Sequence, residues 1–146
     1  MILGDHQARR NAEAVIATLD WIDTPYRHQA STKGQGADCL GLVRGVYREL
    51  VGAEVEALPP YGRRPTSKDE ALLVGAARYL QPAQAVGAGS VLLFRMRRSL
   101  PISHCGIAIA ADRFVHAYDG HAVVSSTLSE FWRSRIAAIF RFPEPL

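Results

Sequence analysis

The sequence predicts an α+β fold, in which helices near the N-terminus pack on a mostly antiparallel sheet of about five strands. Apolar residues recur at helical spacing in the first half of the chain, whereas short apolar runs separated by turn signals fill the second half. Helices that come before strands are typical of α+β domains. The chain has 146 residues and no repeat or low-complexity segment, so we expect a single domain over residues 1–146.

Three helices are predicted in the first half. The first covers residues 5–20, the second covers residues 39–51 and ends at Gly52, and the third begins at Ser67. Glu70 follows Ser67 by three residues, which is the spacing of a capping box. The first helix carries an apolar stripe that we expect to face the core, formed by Ala8, Ala12, Val15, Ile16 and Leu19.

Five strands are predicted in the second half, with one or two helical turns over residues 128–133. Asp119-Gly120 is a turn signal between two of the strands. The predicted strands are Ser90–Phe94, His104–Ala110, Arg113–Tyr118, Ala122–Ser125 and Ile136–Phe142.

Composition excludes several classes of protein. The net charge is +3, but the basic residues are scattered, so we expect no nucleic-acid partner. No apolar run is long enough to span a membrane, and we expect no membrane-spanning segment. The first residues lack the basic start and apolar core of a signal peptide, so we expect synthesis in the cytoplasm without the usual export signal. The two cysteines do not form a CxxC pair.

Cys39 lies where a Gly-rich loop, Lys33–Gly36, meets the second predicted helix. Unpaired N–H groups and the positive end of the helix dipole favour an anion at this position. We therefore expect a lowered pKa for the Cys39 thiol, and the thiolate is the reactive form of cysteine. Cys39 is the candidate nucleophile.

A base for this thiol is predicted on the hairpin of residues 104–118. With a three-residue loop at 110–112, His104 and His116 point to the same face of the hairpin and are diagonal neighbours. We predict that His104 takes the proton from Cys39, and that His116 holds His104 in one tautomer and orientation.

Each of these residues also has an ordinary structural explanation. Cys39 could be a small buried apolar residue, His104 a strand-end residue, and His116 a core histidine. A metal site is a weaker alternative, because the spacing is not that of a recognised ligand set. Its ligands would be Cys39, His104, His116 and His121.

Five segments carry motifs of a known family: Thr24–Arg27, Asp38–Val43, Gly89–Phe94, His104–Ile107 and Arg113–Ala117. Together they resemble the NlpC-type cell-wall peptidases, a papain-like group. Asp38–Val43 resembles the nucleophile motif Asp-Cys-Ser-Gly-hydrophobic-Val, and His104–Ile107 resembles the histidine motif His-Val-Gly-Ile. Arg113–Ala117 resembles the strand that carries the third catalytic residue. Thr24–Arg27 resembles the upstream Pro-Tyr-x-Tyr segment, and Gly89–Phe94 resembles the Gly-Asp-Leu-x-x-Phe strand.

This resemblance implies a papain-like fold and a cysteine peptidase with Cys39, His104 and His116 as its catalytic residues. It also implies that the Tyr26 hydroxyl helps to bind the reacting carbonyl oxygen. The implied substrate is the stem peptide of peptidoglycan, typically the bond between D-glutamate and a diamino acid. No metal or cofactor is expected. The chain departs from the family at Leu40, where Ser is usual, at His28, where Tyr is usual, and at Ser90, where Asp is usual.

Within the family, the resemblance extends to peptidases encoded with phage tails and gene transfer agents. Pro25–Ala30 and Cys39–Val46 carry this likeness. It implies a virion component that opens the cell wall at the periplasm, with other tail or baseplate proteins as partners. Two alternatives remain, namely a catalytically silent structural tail protein and an acyl or amide transferase on the same fold.

Overall fold

The computed structural model describes residues 2–55 and 70–144. Four helices lie within these ranges: α1 (Ile2–Leu19), α2 (Cys39–Val51), α3 (Ala71–Tyr79) and α4 (Glu130–Arg133). The strands are β1 (Ser31–Thr32), β2 (Gly36–Ala37), β3 (Gln81–Pro82), β4 (Ser90–Phe94), β5 (His104–Ala110), β6 (Arg113–Ala117), β7 (Val123–Thr127) and β8 (Ile136–Arg141). None of the helices in the described ranges is both long enough and apolar enough to cross a membrane.

Strands β3 to β8 form one antiparallel sheet in the order β3-β8-β4-β5-β6-β7, and β1 pairs with β2 in a small separate ribbon. The α+β prediction is confirmed, and β4 and β5 have the predicted bounds. The sheet has six strands, where about five were predicted. The additional strand, β3, is two residues long and includes Pro82, so it leaves no alternating pattern in the sequence.

Helix α2 packs across the sheet and forms the centre of the main core. Leu42 and Val46 are fully buried, in one cluster with Val91 of β4 and Ile107 of β5. The helix ends at Gly52 as predicted, in the left-handed conformation with φ of 79° that glycine adopts without strain. At the other end of the helix, Cys39 packs on the same cluster, which also includes Cys105 near the start of β5.

Helix α1 buries a different face from the predicted one. Ala14 and Thr18 are buried, whereas Ile16 of the predicted stripe is 65% exposed. Two polar side chains that form hydrogen bonds share the buried face: Arg10 donates to the Leu50 carbonyl at 3.0 Å, and Thr18 donates to the Ala14 carbonyl at 2.6 Å. A pattern of apolar residues alone does not detect such positions.

The predicted capping box of the third helix involves Ser67, which lies outside the described residues. Its other member, Glu70, contacts the loop between β4 and β5. The Glu70 carboxylate accepts the Ile102 N–H at 2.9 Å and forms an ion pair with Arg95. Glu70 therefore links the start of α3 to the loop that leads into His104.

Candidate active site

Asp38 caps α2, and Cys39 is consequently the first residue of the helix. The Asp38 carboxylate accepts the N–H of Gly41 and the N–H of Gln29, each at 2.7 Å. These bonds tie the preceding loop to the helix start. The contact is close, because a Cβ on Gly41 would lie 1.8 Å from the Ala30 carbonyl oxygen. The thiol is therefore carried at the positive end of α2.

Tyr26 lies beside the segment that leads into Cys39. It forms a parallel bridge with Ala37, where the Arg27 N–H donates to the Ala37 carbonyl at 3.1 Å and the Ala37 N–H donates to the Pro25 carbonyl at 3.0 Å. The Tyr26 side chain is half-buried against the main core. The loop between α1 and α2 thus runs alongside the start of α2.

His104 and His116 are in contact on the β5–β6 hairpin. The strands pair in the predicted register at Ile107 and Val115, although an irregularity around Ile109 makes the predicted three-residue loop shorter. The Nε2 atom of His104 lies 2.8 Å from Nδ1 of His116. The predicted proximity of the two imidazoles is confirmed.

His116 is enclosed by aromatic side chains and is 2% exposed. The Trp132 ring lies 5.2 Å from the His116 ring and 5.6 Å from the His104 ring, centroid to centroid. The second ring nitrogen of His116, Nε2, lies 3.0 Å from the Ser126 hydroxyl oxygen. Burial, with the positive charges of His104 and His121, lowers the pKa of His116 to about 3, so this imidazole is neutral near pH 7.

The Cys39 thiol interacts electrostatically with both Cys105 and His104, and these interactions shift its pKa. The hydrogen bond with Cys105 and the interaction with His104 hold the pKa of Cys39 well below its ordinary value, against burial and the charge of Asp38. The same hydrogen bond, together with burial, raises the pKa of Cys105 well above its ordinary value. Cys39 is therefore the thiol that ionises, and both cysteines are free thiols.

Sequence reasoning gave no role to Cys105, Ser126 or Trp132. The alternation of side chains along β5 was the available signal for Cys105, because the residue after His104 faces α2. Ser126 and Trp132 follow β6 in sequence, and neither belongs to a motif. Only the three-dimensional pairing of β6 with β7, and the position of α4, bring them to the two imidazoles.

The metal alternative finds no support in residues 2–55 and 70–144, where no group of three or more His, Cys, Asp or Glu side chains is arranged to hold a metal ion. His121, the fourth residue of that alternative, stacks on the Tyr118 ring with the centroids 5.3 Å apart. The arrangement of Cys39, His104 and His116 instead suits proton transfer between a thiol and an imidazole.

A family model described as the NlpC/P60 family matches residues 23–141. This chain belongs to the NlpC/P60 family. The match includes all five segments that carried the sequence resemblance, from Thr24–Arg27 to Arg113–Ala117.

Two curated proteins are similar in sequence to this chain. The chain is 33% identical over 123 residues to the gamma-DL-glutamyl hydrolase of Bacillus subtilis (strain 168). This alignment covers 84% of this chain and 27% of that protein. It is 32% identical over 117 residues to the murein DD-endopeptidase MepS/murein LD-carboxypeptidase of Escherichia coli (strain K12). This alignment covers 80% of this chain and 54% of that protein. The chain thus spans about half or less of the length of these relatives.

Solved structures share the fold. A protein of the NLP/P60 family from Staphylococcus aureus subsp. aureus Mu50, described as similar to lipoprotein, shares the fold with a TM-score of 0.65 at 18% identity, over 94% of this chain and 42% of that one. The NlpC/p60 domain of the peptidoglycan hydrolase SagA is similar with a TM-score of 0.64 at 19% identity, over 90% and 98%. This likeness confirms the predicted papain-like NlpC fold.

Proposed function

We propose that this chain is a cysteine peptidase that hydrolyses an amide bond in the stem peptide of peptidoglycan. The observation that carries the proposal is the contact of His104 with His116 at 2.8 Å, together with the interaction by which His104 lowers the pKa of Cys39. Membership of the NlpC/P60 family and the names of the relatives, a glutamyl hydrolase and a murein endopeptidase, support the same class of reaction.

In the first half of the reaction, the Cys39 thiolate attacks the carbonyl carbon of the scissile amide. The negative charge that develops on the carbonyl oxygen is bound by the Cys39 N–H and the Tyr26 hydroxyl, in the role that an oxyanion hole performs. His104, as an imidazolium, gives its proton to the leaving amine nitrogen. The amine departs, and the acyl group stays on Cys39 as a thioester.

In the second half, the neutral His104 removes a proton from water, and the hydroxide attacks the thioester carbonyl. The carboxylic acid leaves, and the Cys39 thiolate and the His104 imidazolium are restored. His116 accepts a hydrogen bond from His104 in both halves, because its low pKa keeps it neutral. Each step uses only groups of this chain and water, so the proposed reaction requires neither a metal nor a cofactor.

The bond that we propose is the one between D-glutamate and a diamino acid. The resemblance to NlpC-type peptidases supports it, as does the name of the glutamyl hydrolase relative. The murein relative is named for a different bond, so the masses of the products decide between the two.

We also propose that the protein is a phage-tail or gene-transfer-agent component, which works beside other tail or baseplate proteins at the periplasmic cell wall. The support is the likeness of Pro25–Ala30 and Cys39–Val46 to the peptidases of such particles. Mass spectrometry of purified particles from the source organism tests this part. We expect peptides of this chain in the particle fraction, and their absence would contradict the proposal.

The enzymatic proposal is tested by digestion of purified peptidoglycan with wild type, Cys39→Ala, His104→Ala and the control His6→Ala, which changes an exposed residue of α1. Soluble fragments are identified by mass spectrometry. We expect cut stem peptides from wild type and His6→Ala, none from Cys39→Ala, and a rate lower by about a hundredfold or more for His104→Ala.

Two other outcomes would favour the alternatives. If fragments carry an added amine rather than water when an amine acceptor is present, the protein is a transferase. If wild type releases nothing and Cys39 reacts with iodoacetamide no faster than a free cysteine, the peptidase proposal fails and a silent structural protein remains.

A further inference from the structure

We infer that Ser126 is a positioning residue, whose hydroxyl fixes the proton of His116 on Nε2 and thereby holds His104 ready for Cys39. This inference rests on the proposed function. Ser126 lies on β7, and His116 pairs with Val124, two residues before it. The two side chains are diagonal neighbours on one face of the sheet. The Ser126 Oγ atom lies 3.0 Å from Nε2 of His116.

The number of protons on the two rings determines which atom donates. An imidazolium on His104 carries a hydrogen on both nitrogens and can only donate. Its Nε2–H therefore donates to Nδ1 of His116, 2.8 Å away, and that nitrogen must be bare. His116 is neutral and has a single ring proton, which must then be on Nε2. The acceptor within reach of this proton is the Ser126 hydroxyl oxygen.

The surroundings make this acceptor hard to replace. The His116 ring lies 4.3 Å from the Phe114 ring and 5.2 Å from the Trp132 ring, and only 2% of the residue is exposed. Water has little access to Nε2, so removal of the hydroxyl leaves a buried N–H without a partner. His116 then gains by moving its proton to Nδ1, which would point one N–H at another N–H on His104 and disfavour the imidazolium.

Several titratable groups lie against the two imidazoles or against the Cys39 thiol, and Ser126 is not one of them. Cys39, Tyr118 and His121 act on the imidazoles, whereas Asp38 and Cys105 act on Cys39. A change at Ser126 removes no titrating group. Any shift in the pH dependence of Cys39 must therefore pass through His116.

The test compares Ser126→Ala with Ser126→Thr and with the control Ser125→Ala. Ser125 is the adjacent residue of the same strand, but its side chain points to the opposite face of the sheet. Its hydroxyl oxygen accepts a hydrogen bond from the Arg113 guanidinium at 2.9 Å. We expect Ser126→Ala to move the pH profile of Cys39 alkylation by iodoacetamide to higher pH, and to lower kcat about tenfold with KM unchanged. Ser126→Thr keeps the hydroxyl and should restore both, and Ser125→Ala should match wild type.

The opposite results are equally clear. If wild-type Cys39 is reactive and Ser126→Ala keeps its pH profile, this inference is overturned and the proposed function stands. If wild-type Cys39 is inert, the proposed function fails and this inference fails with it. A direct measurement needs no variant: the ¹⁵N chemical shifts of the wild-type His116 ring identify the protonated nitrogen. A proton on Nδ1 would overturn the inference, and a proton on Nε2 supports it.

Discussion

Cys105 and Cys39 are neighbouring thiols whose interaction lowers the pKa of Cys39 and raises the pKa of Cys105, and His104, the residue before Cys105, also lowers the pKa of Cys39. Successive residues of a strand point to opposite faces of the sheet. His104 and Cys105 can both reach Cys39 because they are the first two residues of β5, where the strand ends beside α2. Cys105 is 1% exposed, and its raised pKa keeps the proton on its own sulfur beside Cys39. Cys105 therefore stabilises the Cys39 thiolate as a buried hydrogen-bond donor.

Replacement of Cys105 by Val, the residue usual in the NlpC histidine motif, removes this donor. Because the hydrogen bond lowers the pKa of Cys39, its loss raises that pKa and reduces the thiolate fraction near neutral pH. We expect iodoacetamide to react with Cys39 roughly three- to tenfold more slowly at about pH 6. The control is Ile107→Val, a buried residue two positions along β5. Identical pH profiles for Cys105→Val and wild type would contradict the expectation.

Asp38 should contribute to stability through its two backbone bonds, because both the Gly41 N–H and the Gln29 N–H depend on its carboxylate. Asp38 is 3% exposed, so water does not readily replace these bonds. We expect Asp38→Ala to lower the free energy of unfolding by about 1–3 kcal/mol, measured by urea denaturation. Asp20→Ala, which changes an exposed residue beyond the end of α1, should remain within about 0.5 kcal/mol of wild type. Equal losses for the two variants would refute this account of Asp38.

Gly106 is the close-packed position beneath the two imidazoles. A Cβ there would lie 2.9 Å from the Phe114 ring, 2.9 Å from the Val115 carbonyl oxygen and 3.1 Å from the His116 Cβ. We expect Gly106→Ala to cost about 1–3 kcal/mol in unfolding free energy and to displace His116 from His104, which lowers activity as well. Gly87→Ala is the control, because a Cβ at Gly87 would meet no atom within 4 Å. Thermal melts and peptidoglycan digestion measure stability and activity for both variants. Equal stability and activity of Gly106→Ala and Gly87→Ala would contradict the expectation.

The second half of the chain could be predicted well, because its strands are short apolar runs bounded by clear turn signals. Ser90–Phe94 and His104–Ala110 were placed at the observed residues, and the contact of His104 with His116 followed from the hairpin register. The motif around Cys39 gave the start of α2, since Asp38 is a strong capping residue. These predictions depend on local sequence signals: apolar runs, a capping residue and one tight turn.

The buried face of α1 could not be predicted, because it depends on partners distant in sequence. Arg10 is buried since it reaches the Leu50 carbonyl, and no periodicity reports such a bond. The same limit applies to Ser126, which meets His116 only once β7 has paired with β6. Sequence reasoning thus located the two histidines but not the hydroxyl group that lies against them.

The buried His116 should make stability depend on pH. Its pKa is about 3 in the folded protein, below the ordinary value of about 6.5, so between these two values the unfolded chain binds a proton that the folded chain does not. Stability therefore falls as the pH is lowered through this window, by at most about 1.4 kcal/mol per pH unit from this residue. We expect His116→Asn, which cannot take up the proton, to show a shallower fall in urea unfolding between about pH 7 and pH 4. The control is His6→Asn, which changes an exposed residue and should retain the wild-type dependence of unfolding free energy on pH. If wild type and His116→Asn show the same dependence, His116 is already charged in the folded protein.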